Sequence, residues 1–473
     1  MLPPLYTDAL NEYAAIKRQT WDYFKSSFSS HEEVDELAAC MVDRLTSELR
    51  RIRVHRVTGQ NPMLEVRNIV KLFYTRERGE PTSLRLMNPY TRKFIRERNK
   101  RLFLKPMGDK PVLDSLTDLV VNRLYLPEHS PVEVFRDWLP RQFARSLEAI
   151  PAPILLEGGF GKVCRIMGGV FLYALTDLAP GAGGDEIRQR IARALKGGYY
   201  FGMFYPLIDD IFDHAKVFST GQKQELTGLL NHWIGGDFSI PNSLSSVTSM
   251  NLLETIMKEF HELLPAEENR DLYIAAYIQH FSQIDDVVKE VNRDYSREEF
   301  YVPLIIKAAY TRILAAAISG IRLDSRLITH MIETGLSFQL MDDFRDWQSD
   351  LKHNLFTPFT WYTLAPQKGE QFNPFTLYMA VMQRYLVKFQ ADSSLERQLM
   401  RRLSISIQRF WPGDSGGEHT DTVWRIIDHN PEIGRQVRKI HDMKYRIMDP
   451  DSDFTRPIDQ VAGKIYKKEE RGL

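Results

Sequence analysis

The chain has 473 residues, of which 43% are hydrophobic, so it is long enough to bury a substantial core. Lysine and arginine together number 62, as do aspartate and glutamate, and the formal net charge is zero. This balance gives no electrostatic reason to expect a nucleic acid or an anionic membrane as the partner.

Residues 1–130 differ in character from the rest and are interpreted as an N-terminal helical extension, basic in part, whose role the sequence does not assign. The N-terminus lacks the basic segment followed by an apolar run that marks a secretory signal. The longest uncharged apolar run, Tyr199 to Ile208, is too short to span a bilayer. These features predict a cytoplasmic protein without a transmembrane segment.

Apolar residues recur every three or four positions in most of the remaining chain, for example at Leu336, Leu340 and Phe344. This spacing predicts amphipathic helices, and strand-like alternation is scarce. The sequence therefore predicts an all-α protein. Its main domain is expected at 131–400, followed by a C-terminal helical segment at 401–473.

Two clusters of aspartates each follow an apolar run. Within each cluster the outer aspartates are four residues apart, so on a helix they share one face. Clustered carboxylates beside a core are unfavourable unless they are paired or bind cations, and Mg²⁺ prefers such oxygen ligands. Although a single cluster also occurs on solvent-exposed helices, two clusters favour a metal site that holds a diphosphate. The candidate metal ligands are Asp209, Asp210, Asp213, Asp342, Asp343, Asp346 and Asp350.

The order of several motifs resembles that of the trans-isoprenyl diphosphate synthases, which belong to the class I isoprenoid (terpene) synthase superfamily. GGFGKVCR resembles the family's Gly-Gly-Lys-x-x-Arg element. SQIDDVVKE resembles its Gln-x-x-Asp element, and FQLMDDFRD carries its Phe-Gln before the second aspartate motif. The resemblance covers about residues 131–362.

This resemblance implies a class I isoprenoid synthase helical bundle, three Mg²⁺ ions and an allylic prenyl diphosphate as the substrate. It assigns catalytic roles to Asp209, Asp213, Asp342 and Lys307. The family's Gly-Lys loop after the second motif is shortened here, and whether Lys352 replaces it is left open. The residues assigned to diphosphate binding are Lys162, Arg165, Gln283, Lys307, Gln339 and Lys352.

Aromatic residues precede both aspartate motifs, at Tyr200, Phe201, Phe204 and Tyr205 before the first and at Phe338 before the second. Their ring faces can stabilise a carbocation, so they are the candidate cavity wall. The alternative is that aromatic residues at helical spacing only pack in the core.

Four positions depart from the family members that elongate prenyl chains. Phe218 and Ser219 stand in place of two arginines, Val163 stands at a basic position, and Gly202 stands at an expected histidine. In the family these positions mostly hold the second, homoallylic diphosphate, and each lost charge-assisted contact costs roughly 1.5–3 kcal/mol. The departures therefore favour a terpene synthase, which ionises one allylic diphosphate and lets the carbocation cyclise.

Two alternatives remain. One is a trans-prenyltransferase of the polyprenyl or geranylgeranyl type, which condenses an allylic diphosphate with isopentenyl diphosphate. The other is an inactive synthase-like subunit that binds a partner enzyme, although the intact aspartate pairs favour an active one. A homodimer is left open.

Overall fold

The computed structural model describes residues 4–54, 184–213, 220–240, 248–287, 293–353, 355–364, 371–388 and 424–442, with Lys289 and isolated positions between 134 and 174. Within these residues about 85% are helical and no strand occurs, which confirms the predicted all-α class. The predicted boundaries at 130 and 400, and the basic part of the N-terminal region, lie outside the described residues.

The helices are named in chain order. They are α1 (Pro4–Ser27), α2 (His31–Val54), α3 (Gly184–Asp213), α4 (Thr220–Ile234), α5 (Thr248–Leu263), α6 (Arg270–Val287), α7 (Arg297–Ile318), α8 (Ser325–His353), α9 (Pro358–Leu364), α10 (Pro374–Lys388) and α11 (Pro431–Asp442).

Helix α7 is the centre of the bundle, and its sequence fixes both of its ends. Ser296 caps the N-terminus by accepting a hydrogen bond from the Glu299 amide, and the Glu299 carboxylate accepts one from the Ser296 amide. The helix ends before Gly320, whose φ of 86° favours glycine. Among the described helices, α7 is long and apolar enough to cross a membrane, but 83% of its apolar stretch is buried by the rest of the protein.

The neighbours of α7 are α6, α8, α1 and α3. Helix α8 approaches α7 closely because Gly335 has no side chain there. A Cβ atom at Gly335 would lie 2.9 Å from the Ile305 carbonyl oxygen. This close approach brings the helix that carries the second aspartate motif next to the helix that carries Lys307.

The two N-terminal helices are part of the core. Helix α1 packs on α6 and α7, where the Phe24 and Tyr301 rings stack with centroids 4.8 Å apart. Helix α2 packs on α10 and α11, and Glu33 pairs there with Arg384 at 2.5 Å. Residues 4–54 therefore pack against the other helices of the bundle.

Candidate active site

A cavity of about 330 Å³ lies among α3, α4, α5, α6 and α7. Helix α3 contributes Tyr200, Phe201, Phe204 and Ile208, which follow one another along the helix on the cavity side. The remaining wall is mostly aliphatic and aromatic, with residues such as Phe260 from α5. The cavity can therefore hold a hydrocarbon chain and exclude most water from it.

The first aspartate motif continues the helix that forms this wall. Ile208 lines the cavity and Asp209 is the next residue, and the backbone is helical through Asp213. Asp209 and Asp213 are thus one turn apart on the last turn of α3. The side chains of Asp209, Asp210 and Asp213, and that of Tyr205, lie outside the described residues.

Polar groups enter the cavity from α6. Gln279, His280 and Gln283 all line it. His280 is buried, and its Nε2 lies 3.2 Å from the Thr227 carbonyl oxygen of α4. Burial lowers the pKa of the His280 imidazole to about 4, so this side chain is neutral at physiological pH.

One turn beyond Gln283, a buried cluster of charges joins α6 to α7. The Asp286 carboxylate accepts hydrogen bonds from Lys289 Nζ at 2.6 Å and from Lys307 Nζ at 3.3 Å. Burial acts to raise the pKa of Asp286, but the two ammonium groups outweigh it and hold the pKa below its usual range. Lys289 also donates to the Phe300 carbonyl oxygen at 2.8 Å, which fixes the start of α7.

The second aspartate motif presents a mixture of buried and exposed carboxyl groups on α8. Asp342 is exposed, whereas Asp343 and Asp350 are buried. Burial raises the pKa of Asp343 well above its usual value, and the neighbouring charge of Asp350 raises it further. Gln339 Nε2 donates a hydrogen bond to Asp343 Oδ1 at 2.7 Å, which lowers the pKa of Asp343. The positive charge of Lys307 also lowers this pKa.

The Asp343 carboxyl group has one feature that suits a hard cation. The Asp343 Oδ2 atom is buried and accepts no hydrogen bond within the described part of the chain. A buried carboxylate oxygen without a donor is unfavourable, and a bound divalent cation would satisfy it. Within the described residues no group of three or more His, Cys, Asp or Glu side chains is arranged to bind a metal, but most predicted ligands have side chains outside those residues.

Lys307 is the residue that brings the predicted groups together. It is bonded to Asp286 of α6 and acts electrostatically on Asp343 of α8, and Gln283 lies one turn before Asp286. Phe338 is placed differently from the prediction. It is not among the residues that line the cavity, and the Arg312 guanidinium lies 3.6 Å from its ring centroid. The side chains of Lys162, Arg165, Asp346 and Lys352 lie outside the described residues.

Two of the four departures from the family pattern contact each other. Val163 is fully buried, and a Cβ atom at Gly202 would lie only 2.7 Å from the Val163 carbonyl oxygen. Gly202 is therefore required by close packing of α3 on the segment that contains Val163. A histidine could not occupy this position without displacing that backbone. Phe218 and Ser219 lie outside the described residues.

The sequence reasoning missed Gln279, His280 and Lys289. A partial signal was available, because Gln279 and His280 precede Gln283 by four and three residues and so share its helix face. Lys289 follows Asp286 by three residues, but that spacing does not reveal that the pair is buried.

No protein-family model matches the chain, and no curated protein matches it significantly.

Proposed function

We propose that this protein is a Mg²⁺-dependent class I isoprenoid synthase, most simply a terpene synthase, that ionises an allylic prenyl diphosphate. The observation that carries the proposal is the continuity of α3. Its apolar side chains line a hydrocarbon-sized cavity, and the aspartate motif begins at the residue after Ile208, the last of those that line the wall. A substrate with a prenyl chain and a diphosphate head matches that change from apolar to acidic.

The groups at the α6–α7–α8 junction support the same proposal. Gln283 lines the cavity, and Lys307 pairs with the buried Asp286 and acts electrostatically on the buried Asp343. The Lys307 ammonium group is proposed to bind a diphosphate oxygen and stabilise the charge that develops when the C–O bond breaks. Lys162, Arg165, Gln339 and Lys352 are proposed to bind the same diphosphate.

The residues proposed to hold Mg²⁺ are Asp209, Asp210 and Asp213 of the first motif and Asp342, Asp343, Asp346 and Asp350 of the second. When bound, Mg²⁺ would neutralise part of the negative charge of the diphosphate and make it a better leaving group. The chain's own residues have three tasks. The cationic and amide side chains orient the diphosphate, the aromatic wall from Tyr200 to Phe204 faces the carbocation, and the apolar lining of the cavity limits access of water.

The contact between Gly202 and Val163 supports a reaction with a single diphosphate substrate. Gly202 and Val163 pack against each other, and neither has a charged side chain that could bind a second diphosphate. Cyclisation or proton loss after ionisation is therefore favoured over condensation with isopentenyl diphosphate.

The test is incubation of the purified protein and Mg²⁺ with C10, C15, C20 and C25 allylic diphosphates, with and without isopentenyl diphosphate. We expect release of free diphosphate and a hydrocarbon or alcohol product without the C5 co-substrate. The variants Asp209→Ala and Asp342→Ala are expected to fold and to lose activity. Asp294→Ala, at an exposed loop position before α7, is the control and should remain active.

Two outcomes would contradict the proposal. Longer prenyl diphosphates formed only with isopentenyl diphosphate would identify a prenyltransferase. The absence of diphosphate release with every substrate would favour the inactive partner subunit.

A further inference from the structure

His280 lines the cavity in which the proposed carbocation would be held, and no charged side chain among the described residues pairs with its ring. It lies on α6 between the cavity-lining residues Gln279 and Gln283, in a wall that is otherwise largely apolar. The polar contact made by its ring is with the backbone of α4. A histidine in such a wall has either a structural role or a chemical one.

The hydrogen bond of His280 fixes which ring nitrogen carries the proton. A carbonyl oxygen can only accept, so Nε2, 3.2 Å from the Thr227 oxygen, must be the N–H donor. Because the imidazole is neutral, Nδ1 then keeps its lone pair. Within the described residues, the hydrogen bond of the His280 ring is the one made by Nε2.

The other cavity-lining groups that titrate or accept protons are poorer bases. The Tyr273 hydroxyl donates to the Leu264 carbonyl oxygen at 2.7 Å, and burial raises its pKa. Burial and the nearby Glu259 carboxylate also raise the pKa of Tyr200, which stays a neutral donor. The amide oxygens of Gln279 and Gln283 are much weaker bases than an imidazole.

We propose that His280 is a catalytic base that accepts a proton from the carbocation formed in the cavity. A C–H bond next to the cationic carbon breaks, its electron pair forms the new C=C bond, and the proton passes to Nδ1 to give an imidazolium. The proton then leaves to solvent or to the released diphosphate as the product departs. This inference rests on the proposed ionisation of an allylic diphosphate.

A weak base is adequate for this step. A carbocation loses an adjacent proton far more readily than any neutral hydrocarbon, so the position of the base matters more than its strength. In a cavity that excludes water, the base decides which proton is lost and therefore where the double bond forms. Without it, we expect capture of the cation by water or loss of a different proton.

The chain offers a matched control in His261. Its Nε2 lies 3.0 Å from the Trp233 carbonyl oxygen of α4, and burial lowers its pKa to about 4. His261 thus repeats the hydrogen bond and the neutral state of His280, but it is not among the cavity-lining residues.

The experiment compares wild type, His280→Gln and His261→Gln with the allylic diphosphate that wild type uses best. Free diphosphate is measured by a phosphate-coupled assay and the organic products by gas chromatography with mass spectrometry. We expect His280→Gln to release diphosphate within about threefold of the wild-type rate. Its yield of the main wild-type olefin should fall at least about fivefold, replaced by alcohols or double-bond isomers. His261→Gln should keep the wild-type product ratio.

Glutamine at position 280 can still donate a hydrogen bond to the Thr227 carbonyl oxygen, but it has no basic nitrogen. Circular dichroism shows whether the variant folds. If His280→Gln does not fold, His280→Asn is used in the same comparison. An unchanged product ratio in a folded variant, or a wild-type product that is only an alcohol, would overturn the role of His280 and leave the ionisation intact. Wild-type protein that releases no diphosphate from any substrate would instead overturn the proposed function, and this inference with it.

Discussion

At the scale of single residues, two adjacent aspartates on α6 have opposite environments. The Asp286 carboxylate is buried between Lys289, whose side chain is 3% exposed, and Lys307. Asp285 has a side chain that is 38% exposed, and it accepts hydrogen bonds from Tyr13 and Lys17 of α1. The free energy that each carboxylate contributes to folding should differ accordingly.

We predict that Asp286→Asn lowers the free energy of unfolding by about 3–5 kcal/mol, because it leaves the buried Lys289 ammonium without its counter-charge. Asp285→Asn should cost no more than about 1 kcal/mol, because solvent screens its ion pair. Urea unfolding followed by circular dichroism measures both. Equal losses in the two variants would show that the buried cluster has no special role in stability.

The pKa of His280 also has a consequence for stability. The unfolded chain takes up this proton near the usual pKa of 6.5, whereas the folded chain does so only near 4. The unfolded state therefore binds more protons between these values. The contribution of neutral His280 is complete above pH 6.5 and is lost progressively as the pH falls towards 4.

Because His280→Gln does not titrate, the stability of wild type relative to this variant should fall by about 2 kcal/mol between about pH 7.5 and about pH 5. His261 titrates in both proteins, so its effect cancels in the difference. Urea unfolding at the two pH values is the measurement. A difference between the two proteins that does not change with pH would mean that the folded-state pKa is not depressed.

At the scale of helices, glycines set how closely the packed elements approach. Gly202 on α3 faces the Val163 backbone, and Gly228 on α4 faces open space. Alanine favours a helix over glycine at either site, by roughly 0.5–1 kcal/mol. The atoms around each glycine therefore decide whether the substitution by alanine raises or lowers the stability of the protein.

We expect Gly202→Ala to destabilise the protein by about 1–3 kcal/mol, because the new Cβ would overlap a backbone oxygen that cannot rotate away. Gly228→Ala should be neutral or stabilising by up to about 1 kcal/mol. Thermal and urea unfolding of the two variants can be compared directly. A stabilising Gly202→Ala would mean that the segment around Val163 shifts easily, and the packing reason for the departure from the family would be lost.

At the scale of the whole molecule, the acidic groups lie on three helices from different parts of the chain. Asp209 is near the end of α3, Asp286 is near the end of α6, and Asp343 is within α8. A ligand that binds aspartates of both motifs should stabilise the folded protein as a unit, because the unfolded chain cannot assemble the site.

We predict that Mg²⁺ and inorganic diphosphate together raise the melting temperature by a few degrees, corresponding to roughly 3 kcal/mol at about 100 times the dissociation constant. Either component alone should have less effect. Asp342→Ala should lose most of the joint effect, whereas Asp294→Ala should keep it. Scanning calorimetry or dye-monitored melting is suitable, and a flat response in wild type would favour the inactive subunit.

Much of the local structure could be predicted from the sequence. The repeat of Leu336, Leu340 and Phe344 at helical spacing indicated a helix, and all three are buried on α8. The residues from Gly184 to Asp213 form a helix through the first aspartate motif, as the i, i+4 spacing suggested. Helical periodicity is a property of neighbouring residues, so it can be read without knowledge of the fold.

The sequence by itself determined that the described part of the chain is all-α, which aspartates are clustered, and that apolar and aromatic residues precede each cluster. Only the tertiary structure decided which helices these residues meet. It packed α1 and α2 into the core, placed His280 in the cavity wall and placed Phe338, which is not among the lining residues, against Arg312. The physical reason is that periodicity shows which face of a helix avoids water, whereas the partner of that face depends on long-range packing between helices far apart in the chain.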